Sequence, residues 1–188
     1  MNMEHKSAGR LKKSPSKLKA DKIGPEDKSN VGTSLRKTGR DAASTTADRA
    51  IQILGVEKMS NPELANADQT LIRVIRSGVP KRSFDRLVDI TGIAVPEMAK
   101  LLHISDRTLR RYTPDQEFSQ EQGERIVALA NLYSRGEEVF ESIDRFNTWM
   151  GRGQIAFGNE SPKSYMDTSL GIGLILDELG RIEHGILA

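Results

Sequence analysis

Arg107, Arg110 and Arg111 stand at i, i+3 and i+4 spacing, which places three guanidinium groups on adjoining parts of one helical face. Guanidinium forks so placed can bond phosphates or the O6 and N7 atoms of guanine in a DNA major groove. Ser105 and Thr108 add neutral hydroxyls, and Lys100, Lys81 and Arg82 add cations suited to phosphate contact. A solvated charged face is the competing reading of any such cluster. The charge distribution weighs against it: Arg73 to Arg111 holds nine basic and four acidic residues, a local +5. Tyr112 to Ala188 holds six basic against thirteen acidic, or −7, so the positive charge is concentrated around the arginines.

The segment around these residues reads as two helices joined by a turn. In VPEMAKLLHISDRTLRRY, Val95 to Tyr112, the first helix is expected from Pro96 to Leu102 and the second from Asp106 to Tyr112. Two short helices that cross steeply need a small residue at the crossing and apolar side chains inside, and Ala99 with Met98, Leu102, Ile104, Leu109 and Tyr112 supplies them. His103 falls where the chain reverses through a left-handed conformation, which glycine adopts most easily and histidine more readily than most residues. Ser105 is a natural N-cap, and Pro114 disfavours helix at Thr113, limiting the second helix to about two turns. This is a helix-turn-helix whose second helix is the expected reader of double-stranded DNA. One short reading helix binds weakly, so a homodimer on two half-sites is expected.

The remaining elements read as helices, and no segment shows the alternation of a strand. One begins near Ala47 with Ile51 and Leu54 on one side, and a second opens with Asn61 as cap and Pro62 in its first turn, ending at Gly78 and Pro80. These two either form the dimer interface or complete the core. A third runs from about Arg82 to Ile90 with Gly92 as its cap. Ser119 and Gln122 fit a capping box for a helix expected to end at Gly136. Further helices are expected from Glu138 to Met150, briefly from Pro162 to Met166, and from Ser169 to His184, with Gly171 and Gly173 permitting close packing. Residues 1–46 are rich in Lys, Ser, Gly and Thr without sustained periodicity, and Met1 to Ala50 carries twelve basic against six acidic residues. That composition reads as a disordered basic arm.

Several kinds of chemistry find no support. Cysteine is absent, and His5, His103 and His184 are widely separated, so no metal site and no cofactor is expected. Between Tyr112 and Ala188 no Ser nucleophile has a nearby histidine base, and Gly171 and Gly173 precede no GK[ST] sequence, so neither catalysis nor a phosphate loop is expected. No apolar run of membrane-spanning length and no signal-peptide pattern occurs, which points to a cytoplasmic protein without membrane contact. The chain ends GILA, with no charge after Glu183, and an apolar free end favours insertion into a pocket of a partner.

Taken in order, TGIAVPEMAKLLHISDRTLRRY, ERIVALANLYSRGEEVF, the Trp149 helix end followed by IAFGNESPKSYMDT, and GLILDELGRIEHGILA make the stretch from about Leu87 to Ala188 similar to the Xre/MbcA/ParS antitoxin family. Phe157, Asn159 and His184 stand where the family commonly has Leu, Gly and an aromatic. The resemblance implies a helix-turn-helix followed by a small helical toxin-binding domain, and a cognate toxin often of the RES type, which consumes NAD. It implies that Trp149, Phe157, Gly158 and Pro162 build the C-terminal fold. It places Gly171, Leu179, Arg181, Ile182, Glu183, His184 and Gly185, and with them Ile186 and Leu187, at the toxin-binding end. The expected architecture is all-α: a basic arm over 1–46, N-terminal helices over 47–80, a DNA-binding helix-turn-helix over 81–136 and a toxin-binding domain over 137–188. A stand-alone transcriptional regulator is the alternative function.

Overall fold

Short polar side chains and left-handed residues set the helix ends in a computed structural model, which describes residues 45–56 and 66–185. Thr45 and Asp48 form a capping box at the start of α1 (Thr46–Leu54). Asn66 caps α2 (Ala67–Ser77) by accepting a hydrogen bond from the Gln69 amide. The expected cap, Asn61 with Pro62, lies outside the described residues, as do residues 1–44 of the basic arm and the tail from Ile186. Thr46, placed in the arm by sequence, already belongs to α1.

The chain continues through α3 (Lys81–Thr91), α4 (Val95–Leu101), α5 (Asp106–Leu109) and α6 (Gln120–Phe140). After α7 (Ile143–Met150) come two 3-10 turns, Ile155–Phe157 and Pro162–Tyr165, and then α8 (Ser169–Glu183). The all-α expectation holds: the described residues contain helices and one isolated bridge between Pro80 and Glu117. All of them fall in one compact unit, Arg40–Ala188.

Helix α6 is the central element, and α1, α2, α3, α7 and α8 pack on it. Its Ile126, Leu129, Ala130, Leu132 and Tyr133 are buried, so the helices before it and those after it share one core helix. Against it α1 buries Ala50, Ile51, Ile53 and Leu54. Each large apolar side chain so buried stabilises by about 1.5–3 kcal/mol, which makes this face of α1 part of the core. Arg49 of α1 donates two hydrogen bonds to Glu137, at 2.6 and 2.9 Å, and the Ser134 hydroxyl donates to the Thr46 carbonyl at 2.7 Å. Helix α2 keeps Ile72 exposed.

Polar side chains tie the helices together inside this frame. The Tyr133 hydroxyl donates to Asn147 Oδ1 at 3.0 Å, and Asn147 Nδ2 donates to the Thr91 carbonyl at 2.8 Å, joining α6, α7 and the end of α3. Burial pushes the Tyr133 hydroxyl pKa up, which keeps it a neutral donor.

Three local expectations are corrected. Gly136 does not end α6, which runs on to Phe140 and stops at Glu141 in a left-handed conformation, φ 58°. Glycine is needed at position 136 because the Phe146 ring would lie 2.4 Å from a Cβ on that residue. As a result the following helix starts at Ile143 and not at Glu138. Finally, of Gly171 and Gly173, the two α8 glycines expected to permit close packing, only Gly171 does so: a Cβ there would meet the Tyr165 carbonyl oxygen at 1.9 Å, whereas nothing lies within 4 Å of one on Gly173.

Candidate DNA and partner interfaces

The turn between α4 and α5 is built as the sequence implies. His103 adopts φ 56°, and the Ile104 amide donates to the Ala99 carbonyl at 3.0 Å to close the reversal. Met98, Ala99, Leu102 and Leu109 are buried between the two helices. Ser105 caps α5 by accepting from the Thr108 amide at 3.0 Å, and its hydroxyl lies 2.7 Å from that of Thr108.

Helix α5 is shorter than expected, with four residues in place of two turns. The Arg110 amide still donates to the Asp106 carbonyl, but those of Arg111 and Tyr112 reach only three residues back, to Thr108 and Leu109. The cause lies in the chain that follows. Pro114 excludes helix at Thr113, and the Tyr112 ring turns onto Phe118, 5.1 Å away. Amides of Lys81, Arg82 and Phe118 then bond carbonyls of Gln116, Pro114 and Val79, clasping the return segment to the start of α3.

This arrangement leaves Ser105, Arg107, Thr108, Arg110 and Arg111 exposed on one short element. Arg107 and Arg111 have no ion-pair partner among the described residues, whereas Arg110 donates through Nε to Asp106 at 2.7 Å. Lys100 is exposed in a shallow groove with His103 and Lys163, and Lys163 bonds Glu97 at 2.8 Å. The two further cations are engaged within the protein. Lys81 bonds Asp85 and lies over the Phe84 ring, and Arg82 pairs with Asp115.

The acidic half presents a different surface. Rings of Phe146, Trp149, Phe157 and Tyr165 follow one another at centroid distances of 6.0, 6.3 and 5.2 Å. Anchored by Phe157 and closed by left-handed Gly158 and Asn159, the Ile155–Phe157 turn directs Ile155 outward, 78% exposed. On α8 the buried stripe is Ile172, Ile175 and Leu179, and Leu170 and Leu174 lie off it at 77% and 46% exposure.

Two adjoining grooves result. One, about 380 Å³, is lined by Phe157, Tyr165 and Leu174 with three carboxylates, Glu160, Asp177 and Glu178, against one cation, Arg181, and the other by Phe140, Trp149, Ile155 and Ile182. Sequence reasoning had not singled out Ile155, Leu170, Leu174, Glu160 or Asp177. The available signal was the i, i+4 pair Leu170 and Leu174, which the buried period of α8 does not accommodate.

At the end of α8, Arg181 is exposed and donates to Glu178 at 2.9 Å, while Ile182 is half-buried at the groove wall. Glu183, His184 and Gly185 are exposed, with Glu183 bonded by Arg135. Ile186 and Leu187 lie outside the described residues. Among the described residues no three His, Cys, Asp or Glu side chains converge as metal ligands, and no helix is long and apolar enough to cross a membrane.

Known proteins match along both halves. Residues 70–131 match a family model described as the antitoxin Xre-like helix-turn-helix domain, and residues 135–185 match the antitoxin Xre/MbcA/ParS C-terminal toxin-binding domain. The chain is similar to Antitoxin Xre of Yersinia enterocolitica, with 28% identity over 126 residues, covering 66% of this chain and 85% of that protein. It is also similar to Antitoxin Xre of Photorhabdus laumondii, with 24% identity over 117 residues, covering 61% and 79%.

Proposed function

Because the chain belongs to the Xre/MbcA/ParS antitoxin family, we propose that it is the antitoxin of a type II toxin–antitoxin pair, acting by binding and not by catalysis. Helix α5 enters the major groove of its operator and represses its own operon, with Arg107, Arg110, Arg111, Lys100, Ser105 and Thr108 as the DNA contacts. Two copies bind together in the cytoplasm, since a four-residue reading helix gives one copy little specific contact. Exposed Ile72 on α2 supports that helix, rather than α1, as part of the dimer surface.

The acidic half captures the toxin, in this reading a RES-type enzyme that consumes NAD. One observation carries this part: Ile155 and Leu174 project into solvent beside grooves rimmed by Glu160 and Asp177, within the segment matching the toxin-binding domain. Exposed apolar side chains with an acidic rim suit a basic surface with apolar anchors. Arg181, Ile182, Glu183, His184 and Gly185 continue this surface, and Ile186 and Leu187 enter a cleft of the toxin.

The test is to co-express the full chain with a tagged product of the neighbouring gene and isolate the tagged protein. Recovery of a stable complex supports toxin capture. No complex, with DNA binding intact, would replace this reading by a stand-alone regulator.

A further inference from the structure

The three exposed arginines of the reading element are not equivalent. Arg110 is held: its Nε donates to Asp106 Oδ2 at 2.7 Å, although the arginine side chain remains 70% exposed. Asp106 is less free, with its side chain 35% exposed and its other oxygen, Oδ1, sealed from solvent without a hydrogen-bond partner. The carboxylate is therefore seated against the protein, and Arg110 is the cation that compensates it. Arg107 and Arg111 are exposed and have no ion-pair partner among the described residues.

A guanidinium has two edges that can donate in pairs. Here Asp106 occupies the Nε position, which leaves the Nη1 and Nη2 edge free and pointing in a restricted set of directions. That terminal edge presents two parallel N–H groups, which match the O6 and N7 acceptors of guanine. Fixing the fork before binding removes part of the entropy loss that an unrestrained arginine incurs on binding. A phosphate contact has no such need for a fixed fork, and it gains nothing from a carboxylate beside it that repels the DNA backbone.

We propose that Arg110 is the guanine-reading residue of this helix, that Asp106 is the positioning residue that aims it, and that Arg107 and Arg111 hold phosphates. The assignment rests on the DNA-binding reading above and sharpens it to one specificity-determining pair.

The experiment begins by selecting duplexes from a randomised library with the full-length wild-type protein. Affinities are then measured for the selected duplex and its single-base variants over a range of salt concentrations. Arg110→Lys keeps the charge but not the fork; it is expected to lower the preference for guanine at one position per half-site about 5- to 100-fold and to leave the salt slope unchanged. Asp106→Asn is expected to lower the same preference while tightening binding to unselected duplexes, because a negative charge is lost. A merely structural role for Asp106 gives weaker binding everywhere and not this opposed pair of effects. Arg107→Ala and Arg111→Ala are each expected to reduce the salt slope by about one unit with the base preference unchanged. Circular dichroism of each variant confirms that it is folded.

An unchanged base preference in folded Arg110→Lys overturns the assignment, as does loss of preference in Arg107→Ala instead. If the wild-type protein selects no duplex, the DNA-binding reading itself is overturned. The two failures are therefore distinguishable.

Discussion

Arg135 in the last third of α6 donates to both carboxylate oxygens of Glu183, the final residue of α8, and to Glu138 on its own helix. The C-terminal end of α8 is thereby aligned by the central core helix. The hydrogen bond from Arg135 holds the Glu183 carboxyl below its ordinary pKa, and bonds to Glu183 and then Glu138 raise that of Arg135.

The sign of this linkage gives a pH prediction. A carboxyl with a lowered folded pKa contributes stability that is complete above its ordinary unfolded value, about 4.3, and is lost as pH falls through the lower folded value. The protection of the His184 and Gly185 amides, relative to their intrinsic exchange rates, is expected to fall in that acid window, and to be reduced already at neutral pH in Glu183→Gln. A nuclear magnetic resonance titration in which Glu183 titrates at the ordinary glutamate value would contradict the bond in solution.

Gly136 and Gly173 should respond oppositely to alanine. Gly136→Ala forces a Cβ against the Phe146 ring, and overpacking of this kind costs about 1–3 kcal/mol. Gly173→Ala meets nothing within 4 Å inside a helix and is expected to stabilise by about 0.5–1 kcal/mol. Urea denaturation of the two variants checks this, and equal effects would contradict the packing described.

The turn of the helix-turn-helix carries a strained residue that substitution can relieve. A non-glycine residue in the left-handed region costs about 1–2 kcal/mol, so His103→Gly, at φ 56°, is expected to stabilise after the added entropy of glycine is deducted. Ser105→Ala removes the α5 cap and should destabilise by about 1 kcal/mol. Thermal unfolding distinguishes the two, and a loss of stability in His103→Gly would indicate that the imidazole makes a contact worth more than the strain.

How far the sequence revealed these features depended on how local their causes are. Ser105, Ser119 and Gly92 cap the helices they were expected to cap, and His103 turns the chain as expected, because each acts on backbone groups within a few residues. Gly136 misled because glycine is the usual helix terminator, while its actual role depends on Phe146 of the next helix. The exposure of Ile155 was hidden for a similar reason: it follows from the edge-to-face packing of Phe157 between Trp149 and Tyr165. The Arg110–Asp106 pair was present as an i, i+4 spacing, but only the geometry showed that Arg110 alone of the three arginines is held.

The groove residues separate partner binding from folding. Ile155→Asp and Leu174→Lys replace exposed side chains and are expected to change stability by about 0.5 kcal/mol or less. In the double variant, toxin affinity should fall at least about tenfold by calorimetry, with DNA binding unchanged. Undiminished toxin affinity would move the docking surface elsewhere on the acidic half.

The most direct measurement of the central proposal is growth of cells induced to express the neighbouring gene product, alone and together with this chain. The account predicts arrest with the neighbour alone, full growth with the wild-type chain, and arrest again with the Ile155→Asp, Leu174→Lys double variant at equal protein level. Arrest that the wild-type chain does not relieve, despite its accumulation as folded protein, would contradict the antitoxin function.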